Sequence, residues 1–234
     1  LGRAFGWFCA AIPAVSFAYL LHTLNQLDND TAAHLLSVPW VPVADLELSM
    51  RLDGLSIAFG LLITGIGTLV CLYADAYFQN DPRRGLFLSY LFLFMAAMLG
   101  LVFADNVLAL FVFWELTSVA SYLLIGFEHR KEASRQAALQ ALLTTGAGGL
   151  ALLVGLILLG NAAGSYNLTD IIVATGLREH PHYIAILLLV VAGAATKSAQ
   201  FPFHFWLPNA MAAPTPASAY LHSSTMVKGG IYLL

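Results

Sequence analysis

Residues 192–234 read AGAATKSAQFPFHFWLPNAMAAPTPASAYLHSSTMVKGGIYLL. The stretch is apolar enough to lie in a bilayer. It nevertheless carries Lys197, His204, His222 and Lys228, with prolines at 202, 208, 214 and 216. Hydrocarbon offers no water to charges or to bare backbone groups. Such residues persist in a membrane where they line protein or a polar interior. Read this way, the chain is all-α: a polytopic transmembrane helix bundle of about seven spans, with a broken helix near Pro202.

Composition supports an integral membrane protein. Of 234 residues, 59% are hydrophobic and 10% charged, against roughly 25% charged in soluble domains. A net charge of -3 gives no reason to expect nucleic acid as a partner. Cys9 and Cys71 lie in apolar runs without metal-ligand spacing and read as core residues. There is no phosphate loop, haem-ligand pair, cysteine cluster or nucleophile triad. No cofactor, metal or redox centre is expected. The chain begins Leu1-Gly2-Arg3 and ends inside an apolar run at Leu234, so it is read as a single domain truncated at both ends.

A span needs about 20 mainly apolar residues. Such runs extend from Phe5 to Leu24, Leu55 to Tyr73, Leu86 to Phe103, Val107 to Phe127, Ala137 to Leu159 and Ile184 to Phe201, and a seventh starts near Pro216. The first lacks a small-residue cleavage site after Leu21 and reads as a helix rather than a signal peptide. Between spans, Asn25 to Arg51 reads as an exposed loop with Trp40 at the interface. Asp105-Asn106 is a tight hairpin. Gly160 to His182 is a longer polar loop.

The charges sort by side. Arg3, Arg83, Arg84, Arg130, Lys131 and Arg135 fall at one set of alternate connections, and Arg51 and Arg178 at the other. The positive-inside rule places the first set in the cytoplasm. That leaves Lys197 and Lys228 inside apolar runs. Of the thirteen acids, Glu115 alone sits deep in a span, about 12 Å beyond Val107 at helical rise. The buried ionisable set is therefore Glu115, Lys197, His204, His222 and Lys228. A charge at bilayer depth is costly, and an acid and a base offset it by pairing. A lone Glu115–Lys197 pair would serve structure. A row of further groups able to take up protons suits conduction.

Spacing adds detail. Lys197 and His204 are two helical turns apart, with Pro202 between them to break the helix around Gln200 to Phe203. Thr215 and Pro216 suit an N-cap and first turn. On an ideal helix His222 and Lys228 face different ways, with Ser223, Ser224 and Thr225 offering hydroxyls between. Gly146, Gly148 and Gly149 read as close helix packing, Trp114 and Trp206 as packing residues, and His180 and His182 as a solvated loop.

The runs FWELTSVASYLLIG and TKSAQFPFHFWLPNAMAAPTPASAYLHSSTMVKGGIYL resemble the antiporter-like subunits shared by respiratory complex I and multisubunit cation/proton antiporters. RLDGLSIAFGLLITGIGTLV is similar to that family's amino-terminal region. The HSSTMVK ending is similar to the large A subunit of Mrp-type sodium/proton antiporters; the corresponding complex I subunit more often has Thr at Lys228. The family usually has Ala where Gly229 stands. The resemblance implies a Glu115–Lys197 pair and relay positions at His222, Lys228 and His204. It implies proton movement coupled to sodium within a hetero-oligomer of other membrane subunits in the bacterial cell membrane, a secondary transporter rather than an enzyme. A proton-pumping subunit of NADH-quinone oxidoreductase, or an inorganic-carbon-uptake relative, would use the same relay.

Overall fold

The computed structural model describes residues 4–27, 34–41 and 46–234. Arg3 and Pro42 lie outside these residues, and so do the side chains of Trp40, Ser223 and Ser224. Among the described residues, five helices are long and apolar enough to cross a membrane. They are α1 (Ala4–Gln26), α2 (Gly54–Tyr77), α3 (Arg84–Phe103), α4 (Val107–Ile125) and α5 (Glu132–Ala163). After the short α6 (Leu168–Val173) comes α7 (Tyr183–Lys197). The chain then turns through α8 (Trp206–Ala210) into α9 (Thr215–Tyr220), a π turn at Leu221–Thr225, and α10 (Met226–Leu233). The expected multi-span helical bundle is present.

The long helices pack in chain order, α1 on α2 through α4 on α5, and α7 packs on α5. The α9–α10 segment packs on α2, α3, α4 and α7. It closes the row into a bundle whose centre holds the fully buried Trp114, Lys197, Trp206 and Tyr220. Tyr220 fixes α9 by donating its hydroxyl to the Ile63 carbonyl of α2 at 2.8 Å. Large apolar side chains such as Trp7, Leu69, Leu143, Leu150 and Leu188 face outward, as they would toward lipid.

Two connections differ from the sequence reading. Part of the Asn25–Arg51 loop is a hairpin of β1 (His34–Val41) and β2 (Leu46–Leu52), antiparallel, with His34 opposite Leu52. The polar Gly160–His182 loop contains α6, because Asp105 holds its start: Thr169 donates both its main-chain N–H and its hydroxyl to the Asp105 carboxylate. The Asp105-Asn106 hairpin is as tight as expected. Asn106 caps α4 by accepting from the N–H groups of Leu108 and Ala109, satisfying donors that a helix start leaves open. Helix α5 starts five residues before Ala137, extended by a polar turn in which Gln136 donates to Glu132.

Candidate functional site

The site is built where α7 ends. The helix stops at Lys197, earlier than the proline suggests. Its last carbonyls are closed by a Schellman arrangement: Gln200 N–H donates to Ala195 at 2.9 Å and Ala199 N–H to Thr196 at 3.3 Å. Ala199 supplies the left-handed residue, φ 50°, that this closure needs. The Thr196 carbonyl also accepts from the indole of Trp206, 2.9 Å away. The break is thus satisfied inside protein, as the bilayer demands.

Lys197 is fully buried, and its ammonium points at one face of α4. It donates to the Trp114 carbonyl at 2.8 Å, to the Ser118 hydroxyl at 2.9 Å, and to the Thr117 hydroxyl. Its nitrogen also lies 4.9 Å from the Trp114 ring centroid, over the negative π face. An ammonium has three N–H donors, and here each has an oxygen. Thr117 and Ser118 in turn donate to the same Trp114 carbonyl.

Glu115 sits beside this group. The direct pairing with Lys197 expected from the sequence is not made: no ion pair joins the two among the described residues. The buried Oε1 of Glu115 has no hydrogen-bond partner among the described residues. A methyl group built on Gly149 of α5 would collide with that oxygen, and one on Gly148 with Thr196. These two glycines pack closely, as expected. Gly146 does not, having nothing within 4 Å of a built Cβ.

His222 is half-buried in the π turn, its ring 6.4 Å from that of Trp206 and close to the main chain of Ala210. Neither ring nitrogen makes a well-formed hydrogen bond among the described residues. The π turn changes the facing read from an ideal helix. Met226 N–H reaches back five residues to Leu221, and the Thr225 hydroxyl to Tyr220. Lys228 is half-buried one turn on and forms no ion pair among the described residues. Ser198 donates to the Val227 carbonyl at 2.7 Å, so one hydrogen bond joins the neighbours of the two lysines. His204 departs most from expectation. It is exposed, stacked 5.8 Å from Phe201, because the helix that would align it with Lys197 ends before it. Pro214, not Thr215, occupies the N-cap position of α9 and makes no side-chain cap bond.

Thr117, Ser118 and the Trp114 carbonyl were missed in the sequence. Their signal is two adjacent hydroxyls, in W-E-L-T-S, just after the one deep acid. Trp206 does more than pack, since it holds the helix end. Among the described residues no group of three His, Cys, Asp or Glu side chains is placed to hold a metal.

The chain is thus a multi-span helical membrane protein with a buried lysine at a broken helix, beside a glutamate within a neighbouring span. The sequence family described as "NADH:quinone oxidoreductase/Mrp antiporter, TM" matches residues 104–234, and the chain belongs to it. A second family, "NADH-Ubiquinone oxidoreductase (complex I), chain 5 N-terminus", matches residues 40–88. The chain is 48% identical over 99% of its length to the A/B subunit of a probable K(+)/H(+) antiporter of Rhizobium meliloti, covering 23% of that protein. It is 47% identical over 98% of its length to the A1 subunit of a Na(+)/H(+) antiporter of Staphylococcus haemolyticus, covering 28% of it. It therefore spans about a quarter of these relatives. The Mrp complex from Dietzia sp. holds a similar chain, with TM-score 0.89, 39% identity, and coverage of 99% of this chain and 25% of that one. An archaeal membrane-bound sulfane sulfur reductase shares the fold, at TM-score 0.83 and 22% identity over 97% of this chain and 46% of the other.

Proposed function

We propose that this chain carries the proton-transfer core of a multisubunit monovalent cation/proton antiporter in the bacterial cell membrane. The observation that carries the reading is the cage around Lys197. Two of its three oxygens are hydroxyls, which can either accept or donate. Against an ammonium all three oxygens accept. Against a neutral amine, a rotated Thr117 or Ser118 hydroxyl can donate to the nitrogen lone pair. The cage therefore accommodates Lys197 with or without its proton, which a purely structural ion pair does not require. Glu115 acts on Lys197 through its field, and its unpartnered oxygen is open to a proton. His222 and Lys228 continue the path on the neighbouring helix. His204, exposed in this chain, fits the outer edge of the path rather than its centre.

The names of the relatives support sodium or potassium as the exchanged ion, with other membrane subunits as partners. The test uses everted vesicles holding the intact complex, with a pH-sensitive dye and pulses of either salt. Glu115→Ala and Lys197→Ala are each expected to abolish exchange. Assembled variants with undiminished exchange would sink the reading. The match of residues 40–88 to a complex I chain keeps a second reading in view, a pump driven by NADH oxidation. Proton movement on addition of NADH, without any cation requirement, would favour it.

A further inference from the structure

The arginine-bearing end of the bundle holds a cleft that the Lys197 path does not use. It encloses about 280 Å3 between the start of α3 and the end of α4. Its described lining includes three basic residues, Arg83, His129 and Arg135, and no acid. Tyr90 and Tyr122 add two phenols, and Leu86 an apolar wall. Leu86 is 47% exposed and Tyr122 38%, so this wall lies on the outer surface, where acyl chains would run.

The basic groups are not equivalent. Arg83 is already matched by Asp81 and Glu128, and it lies over the Phe127 ring at 4.7 Å. It is a fixed wall. Arg135 is exposed, donates one N–H to the His129 carbonyl at 2.7 Å, and makes no ion pair among the described residues. That bond holds Arg135 and His129 together at the cleft edge. Neither Tyr90 nor Tyr122 spends its hydroxyl on a hydrogen bond among the described residues. A guanidinium fork suits phosphate oxygens, and tyrosines are enriched at the level of lipid headgroups.

We propose that this cleft binds the headgroup phosphate of an anionic glycerophospholipid. Arg135 and His129 hold the phosphate, a tyrosine hydroxyl meets the glycerol region, and an acyl chain lies along Leu86 and Tyr122. A free phosphate ion would have no use for the apolar wall. A solvated surface arginine would need no cleft.

The test is native mass spectrometry of the detergent-solubilised protein containing this chain, with whatever subunits copurify. It is titrated with phosphatidylglycerol, with phosphatidylcholine, and with inorganic phosphate as competitor. The wild type is expected to retain one more phosphatidylglycerol than the Arg135→Gln/His129→Gln double variant. Affinity at that site should fall roughly fivefold with the loss of Arg135, and further with the loss of the His129 ring as a hydrogen-bond partner. His129→Gln alone keeps the main-chain carbonyl that anchors Arg135, and is expected to give the smaller step even if the double variant unfolds. Arg178→Gln, at the other end of the bundle, is expected to change nothing. Equal retention of the two lipids, unchanged retention in the cleft variants, or displacement by inorganic phosphate would overturn the proposal.

Discussion

Lys197 donates to the main-chain carbonyl of Trp114, 2.8 Å away, and not to the carboxylate of Glu115, the next residue along. Helix geometry explains the choice. A carbonyl at one position and side chains three and four residues on share a face, so Trp114, Thr117 and Ser118 form one patch. Glu115 is turned roughly 100° away from it. The lysine docks on the patch, and the glutamate lies to its side.

Thr117 is the cheapest place to break this cage without changing its shape. Thr117→Val removes one acceptor from a fully buried ammonium. Leaving a buried charged donor unmatched costs about 1–3 kcal/mol or more. Cation-driven proton exchange in vesicles should fall by roughly fivefold or more, since 1.4 kcal/mol is a factor of ten. Thr117→Ser keeps a hydroxyl and should restore most of the rate. Equal rates in the two variants would deny the hydroxyl its role.

The glycines of α5 make a paired prediction. At Gly149 a methyl meets the Glu115 carboxylate, and at Gly146 it meets open space. Overpacking a tight site costs typically about 1–3 kcal/mol. Replacing a helical glycine that has room for a methyl by alanine gains roughly 0.5–1 kcal/mol. Gly149→Ala should therefore lower the midpoint of thermal unfolding in detergent, and Gly146→Ala should hold or raise it. The reverse order would show that α5 packs differently.

The helices were legible because length and hydropathy alone define a span. The site was legible by subtraction: once loop charges were assigned a side, Glu115, Lys197 and Lys228 remained. The cage was not legible. Thr64, Thr68 and Thr145 give their hydroxyls to their own helix four residues back, and in sequence only its place beside Glu115 sets Thr117 apart from them. The π turn was hidden for a similar reason, since an extra residue per turn leaves no compositional mark. The hairpin could have been found. Leu46-Glu47-Leu48-Ser49-Met50-Arg51-Leu52 alternates apolar and polar at every step, the period of a half-buried strand.

Ala199 closes the broken helix with φ 50°, a conformation that disfavours a Cβ by roughly 1–2 kcal/mol. Ala199→Gly should be stabilising, by up to about 1 kcal/mol after the entropy of the unfolded glycine is counted. Ala199→Val should be clearly destabilising, since a branched Cβ fits this region worst. Thermal unfolding of both variants reads the effect. A destabilised glycine variant would mean that the alanine methyl packs usefully against the core.

The turn before α3 gives a pH prediction outside the membrane-spanning helices. Asp81 accepts from the Arg83 side chain at 2.9 and 3.2 Å, and from its main-chain N–H at 2.8 Å. The side-chain hydrogen bonds first, then the main-chain one, hold the Asp81 carboxyl below its ordinary value. A carboxyl with a lowered value in the folded state binds protons more weakly there than when unfolded. Its stabilising contribution is therefore complete above the ordinary aspartate value, about 3.9, and disappears as pH falls through the folded value. Asp81→Asn should lower the unfolding midpoint near neutral pH, and the gap from wild type should close on acidification below about pH 4. Because the turn is partly exposed, high salt should narrow the gap as well. A gap that stays constant across pH would mean that Asp81 acts through turn geometry alone, without its charge.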